Sequence, residues 1–129
     1  MSFILIPKNG EDIKINAWNW RPTLELLRRA DVIDNDLCER MGTHGFKAEV
    51  DATTANRIAD FLEARLRVMK PEQRVRADLT VTDTPKKRLI IASDTQIDQI
   101  DAVDVYSASF AWLVEFRDFS RASGGFEVL

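Results

Sequence analysis

Cys38 and His44 are the only cysteine and the only histidine in this chain of 129 residues, and they stand six positions apart. The one nucleophile these residue types could build is a thiolate–imidazole pair. It needs the ring within hydrogen-bond reach of the sulfur and a third group to orient the ring. His44 lies in Gly42-Thr43-His44-Gly45, flexible enough to fold back on Cys38, and Asp34, Asp36 or Glu39 could orient it. No family-type nucleophile signature surrounds Cys38. The plainer reading is a half-buried cysteine on a helix and a loop histidine at the surface. The weak alternative reading makes Cys38 and His44 catalytic.

Charge is the other chemical resource. Six acidic side chains against one basic fall between Asp94 and Asp118. The run opens with Asp94, Asp98, Asp101 and Asp104, which on a helix would share an arc of roughly 120° beside the apolar arc of Ile97, Ile100 and Val103. The stretch from Arg65 to Arg88 is the reverse, eight basic residues against Glu72, Asp78 and Asp83. Such segregation is either a solvated face or a surface for an oppositely charged partner. If it is a docking surface, Asp94, Asp98, Asp101 and Asp104 are the partner-binding residues. The partner is then a protein with a basic surface.

Other chemistries find little support. Structural zinc wants four Cys or His ligands, and the chain holds two such residues. A calcium loop wants acids at alternate positions around a glycine, and the aspartates lie at helical intervals instead. Neither a metal nor a cofactor is expected. There is no Gly-rich phosphate loop and no Gly-x-Ser-x-Gly elbow. Lys86-Lys87-Arg88 has no interleaved aromatics, and the net charge is −3, so nucleic-acid binding is disfavoured.

The elements that must position these residues read as follows. Asn9-Gly10 suits a two-residue type I′ turn, which would pair Ile6 with Ile13 and Ile4 with Ile15 and put four isoleucines on one face. Pro7 then belongs to a strand edge or a strand end. A helix follows with Asn19 as N-cap and Pro22 in its first turn. Residues 34–45 read as a short helical piece and a loop. Asp51 opens the clearest helix, to Met69, with Ala55, Ile58, Ala59, Leu62, Leu66 and Met69 on one stripe.

Val75 to Val81 alternates as a half-buried strand, followed by a turn at 82–85 and a second strand at 88–92. A helix from Pro71 is the rival reading. The last helix is expected over Asp104–Ala122, stopped by Gly124-Gly125, with a short strand at 126–129. Its residues Tyr106, Phe110, Trp112, Leu113, Val114, Phe116 and Phe119 would cover roughly 220°, wider than one core stripe. Either this helix is central and packs on two sides, or the chain forms a homodimer through Tyr106, Trp112, Phe116 and Phe119.

These readings add up to a single α+β domain over residues 1–129, with an N-terminal β-hairpin, two to three helices and short antiparallel strands. With 45% hydrophobic residues the chain has material for a core. One cysteine allows no intramolecular disulfide. The N-terminus lacks the basic start of a signal peptide, and no apolar run approaches the roughly 20 residues that span a bilayer. A cytoplasmic protein without membrane contact is expected.

Trp20-Arg21-Pro22-Thr23-Leu24-Glu25-Leu26-Leu27, then Val50-Asp51 running into Ala55, Ile58-Ala59 and Leu62, resembles a group of small uncharacterised bacterial proteins. The closing Phe116, Phe119 and Ser123-Gly124-Gly125-Phe126 fit the same pattern. The resemblance covers about half the chain, mostly core and cap residues, and brings no activity with it. Small acidic proteins of this size include many bacterial immunity and antitoxin-like binders. By that analogy the expected function is a small non-catalytic protein-binding module. The alternatives are a small-ligand binder or enzyme on the Cys38–His44 loop, and a homodimeric structural protein.

Overall fold

A computed structural model describes residues 2–76, 78, 80–82 and 107–129. The elements run β1 (Ser2–Pro7), β2 (Ile13–Asn16), α1 (Ala17–Arg29), α2 (Asn35–Met41), β3 (Ala48–Val50) and α3 (Ala52–Leu66). Then come β4 (Arg74–Arg76), β5 (Val81–Thr82), β6 (Ser107–Ser109), α4 (Phe110–Ser123) and β7 (Phe126–Val128). The strands form two antiparallel sheets, ordered β2-β1-β7-β3 and β5-β4-β6. The α+β class stands. The aspartates at 94, 98, 101 and 104, Tyr106, and the strand expected at 88–92 lie outside the described residues.

The N-terminal hairpin forms with a different register. Phe3 pairs with Ile15 and Leu5 with Ile13, one residue away from the expected pairing. A slip of one turns every side chain of β1 over. Phe3 and Leu5 are therefore buried, while Ile4 and Ile6 face outward and are half-buried. The cause is β7. It pairs with the other side of β1, Leu5 opposite Val128 and Pro7 opposite Phe126. Past Pro7 the chain keeps following that end of the molecule, with Lys8 N–H donating to the Gly125 carbonyl and Asn9 N–H to the Ser123 carbonyl, both at 3.0 Å. Gly10 has φ 104° but Asn9 does not have positive φ, so the type I′ turn is not made. Pro7 sits at the strand end.

α1 starts three residues earlier than expected. The Asn16 side chain caps it, accepting from Asn19 N–H at 3.0 Å. Pro22 consequently lies inside the helix rather than in its first turn. The chain leaves α1 through Asp31, whose φ of 57° is the left-handed conformation more often taken by Gly or Asn. Arg57 donates to the Asp31 carbonyl at 3.0 Å and holds this exit against α3.

α3 matches its sequence pattern. Asp51 caps it, accepting from Thr54 N–H at 2.7 Å. Ala55, Ile58, Ala59, Leu62 and Leu66 are all buried, as is Met69 just beyond the end. The strand expected from Val75 to Val81 is instead a tight hairpin, with Val75 opposite Val81. The Asp78 carboxylate makes the bend, accepting from Thr80 N–H at 3.0 Å and from Thr80 Oγ at 2.6 Å. The rival helix is absent from the described part of this segment.

The last helix is shorter than expected at its start. Ser107–Ser109 is a strand on β4, and Ser109 then caps α4 by accepting from Trp112 N–H at 3.1 Å. Gly124 ends the helix at φ 69°, as the glycine pair implies. β7 lies in the interior of its sheet, between β1 and β3.

The core fills the space between the inner face of the larger sheet and the helices. Trp20 of α1 is fully buried, with ring centroids 6.3 Å from Phe3, 6.2 Å from Trp112 and 5.3 Å from Phe116. Phe116 and Phe119 reach Phe126 on β7 at 6.0 and 5.2 Å. α4 also packs along α3. Its wide aromatic arc is thus that of a central helix. Trp112 and Phe116 are buried in the chain's own core and present no surface to a second copy. Among the described residues no helix is long and apolar enough to cross a membrane.

Candidate functional site

Cys38 lies on α2, half-buried against α1. Its Sγ points at the Leu24 carbonyl, 3.8 Å away. His44 goes elsewhere. Its ring is stacked on Phe3, centroids 4.1 Å apart and planes 15° from parallel, and so covers the end of the core at β1. No hydrogen bond joins the two, so the fold does not bring together the pair that the spacing allowed. Burial pushes the Cys38 thiol above its ordinary range, with the Glu25 charge adding to the shift and Arg28 opposing it. A nucleophilic thiol needs the opposite shift. In the native protein Cys38 should react with iodoacetamide more slowly than a free thiol at neutral pH, and denaturation should restore the ordinary rate. An alkylation rate above that of a free thiol would reverse this assignment.

Among the described residues no group of three or more His, Cys, Asp or Glu side chains is arranged to hold a metal ion. Both buried indole N–H groups are used in construction. Trp20 Nε1 donates to the Met41 carbonyl at 2.9 Å. Trp112 Nε1 donates to Thr23 Oγ at 3.0 Å, and that hydroxyl donates to the Asn19 carbonyl at 2.6 Å.

Two arrangements escaped the sequence reading. The first ties α1 to the smaller sheet. The Asn19 side-chain oxygen accepts from Ser109 N–H at 3.0 Å and from Arg74 Nη2 at 3.2 Å, while Arg74 Nε donates to Ser107 Oγ at 2.7 Å. Burial lowers the Arg74 pKa from its usual value. All the acceptors given to Arg74 by the described residues are neutral, so this is a structural clamp between α1, β4 and β6.

The second is concave and open to solvent. A groove of about 670 Å³ runs over the outer face of β1, β7 and β3. Its lining includes the apolar Ile6 and Pro7 and the charged Glu49, Asp51, Glu127 and Lys8. Ile6, Glu127 and Glu49 form one cross-strand row, because Ile6 pairs with Glu127 and Glu127 with Glu49. Lys47 Nζ lies 3.3 Å from the Glu127 carboxylate. The three carboxylates therefore outnumber the two lysines. The Asp51 carboxyl is held below its usual range by the α3 N-terminus, chiefly through Thr54 N–H. Such a groove can accept hydrogen bonds from lysine or arginine side chains beside the apolar Ile6 and Pro7. Alternation at Ala48-Glu49-Val50 and Phe126-Glu127-Val128 already puts both glutamates on the side opposite the core. That the two strands are neighbours is set by topology and has no local signal.

No protein-family model, no curated protein and no solved structure matches this chain.

Proposed function

We propose that this chain is a small non-catalytic binding module that docks a protein with a basic surface in the cytoplasm, in the manner of immunity or antitoxin-like binders. The observation that carries the reading is the cross-strand row of Ile6, Glu127 and Glu49, which sets two carboxylates beside an apolar side chain in one groove. The acidic run from Asp94 to Asp118 adds charge of the same sign. Rim carboxylates of this kind raise the rate of encounter with a cationic surface more than they deepen the final affinity. They also make the encounter sensitive to salt.

The test compares wild type, Glu49→Lys and the double variant Asp98→Lys, Asp101→Lys as baits for proteins of the native cell. One stoichiometric partner is expected with wild type, released as salt rises. Its association rate should fall by about tenfold or more at low salt in a charge-reversed variant. A partner that binds all three baits at the same rate, or no partner at any salt, would remove the electrostatic reading.

A further inference from the structure

Asn9 and Gly10 lie in the bend that leaves β1, and both are exposed. An asparagine can be attacked by the peptide nitrogen that follows it. This requires a carboxamide that no hydrogen bond holds, a following N–H not engaged in a hydrogen bond, and no side chain shielding the approach to that N–H. The loop provides each. Among the described residues, neither the Asn9 carboxamide nor the Gly10 N–H has a hydrogen-bond partner. Nothing lies within 4 Å of the position a Gly10 β-carbon would take. The backbone on the other side is anchored by Lys8 N–H and Asn9 N–H, so freedom begins at the reacting bond.

The remaining asparagines are placed differently. Asn16 and Asn19 are hydrogen-bonded to each other at the start of α1. Asn35 and Asn56 belong to α2 and α3. None of the four precedes a glycine.

We infer that Asn9 is a self-modification site at which the chain deamidates, with water as the only co-reactant. The Gly10 nitrogen loses its proton and bonds to Asn9 Cγ. The Cγ–Nδ2 bond breaks, and the amide nitrogen leaves as ammonia, taking up that proton. The resulting succinimide adds one water across either of its ring C–N bonds. Opening gives aspartate at position 9 or, by the other route, an isoaspartyl link.

The product matters to the fold because of what the amide overlies. A β-carbon at Gly124 would lie 2.7 Å from Asn9 Nδ2, so the amide sits on the residue that ends α4. Deamidation places a carboxylate there, beside the helix end whose carbonyls already carry negative charge. The reaction thus weakens the junction of α4 and β7 and makes the chain one charge more acidic.

The experiment incubates the folded full-length chain in mildly alkaline buffer and follows it by peptide mass mapping and by enzymatic methylation of isoaspartate. Exchange of NH₂ for OH is expected at Asn9 ahead of Asn16, Asn19, Asn35 and Asn56. The rate should rise with pH and be no more than about tenfold below that of the denatured chain, since a loop that opens at almost no cost reacts nearly as unfolded chain does. Asn9→Gln should abolish the signal. Asn9→Asp should melt a few degrees below wild type. An Asn9 that reacts only after denaturation, or no faster than the other asparagines, would overturn the site. An Asn9→Asp variant as stable as wild type would overturn its consequence.

Discussion

Trp20→Ala should cost about 4 kcal/mol or more of folding stability. Truncating a buried tryptophan removes about 3–5 kcal/mol through lost transfer energy and the cavity left behind. Trp20 is fully buried and central, with Phe3, Trp112 and Phe116 all in ring contact. Its indole N–H also satisfies the Met41 carbonyl, the last residue of α2. Stranding that carbonyl adds about 1–3 kcal/mol unless water reaches it. Domains of this size are stable by roughly 5–15 kcal/mol, so the variant would lose a large share of its stability. Trp20→Phe separates the two contributions. It keeps an aromatic ring in the cluster and loses the hydrogen bond, so a smaller loss is expected. Urea unfolding measures both, with the slope unchanged if only the native state is affected. A loss below about 1 kcal/mol for Trp20→Ala would mean that the ring is not the hub described here.

What the sequence could reveal divides by the range of the interactions. α3 was legible at its start and along its length because cap and stripe are local: Asp51, then Ala55 to Leu66 at helical spacing; its end, expected at Met69, comes at Leu66. The α4 stop was legible for the same reason, since only Gly124 readily adopts the conformation found there. The hairpin misled because its register is decided by β7, at the far end of the chain, with Leu5 opposite Val128. Nothing within residues 1–16 says that Phe3 rather than Ile4 faces the core.

β6 misled in the opposite way. Ser107-Ala108-Ser109 carries no β-branched residue and runs into a helical pattern, yet it is a strand because Arg74, Val75 and Arg76 pair with it. The hairpin of β4 and β5 keeps Val75 and Val81 on one face, so the alternation survives while the single strand does not. Among the site candidates, six-residue spacing allowed a Cys38–His44 pair. Whether a loop histidine folds back is settled by tertiary contacts, and here Phe3 holds the ring.

The Asn19 clamp is the strongest case of a long-range interaction, and it yields the second large effect. Asn19→Ala is expected to cost about 2–3 kcal/mol. The side-chain oxygen lies between Ser109 N–H and Arg74 Nη2, residues 90 and 55 positions away. Removing it leaves two donors short of an acceptor, each worth about 1–3 kcal/mol when buried and less where water can enter. The loss should be shared with Arg74, so Asn19→Ala combined with Arg74→Met should cost less than the sum of the single changes.

Asn19→Asp discriminates between a clamp and simple space filling. It keeps both acceptor roles and gives the half-buried guanidinium a carboxylate, which strengthens that contact. It gives up the Asn19 Nδ2 donation to Asn16 at 3.1 Å, an exposed bond of small worth. An acid in the first turn of α1 is also favourable. Stability at or above wild type is therefore expected at neutral pH. The new carboxyl would have its pKa depressed by Arg74. The gain is then present above the unfolded aspartate value of about 3.9 and is lost as pH falls through the lower folded value. Equal destabilisation by alanine and aspartate, or no pH dependence in the difference between Asn19→Asp and wild type, would show that the side chain only fills space. The expected ordering instead makes one amide oxygen the point where α1 and the smaller sheet are joined, and through Ser109 the point that sets where α4 begins.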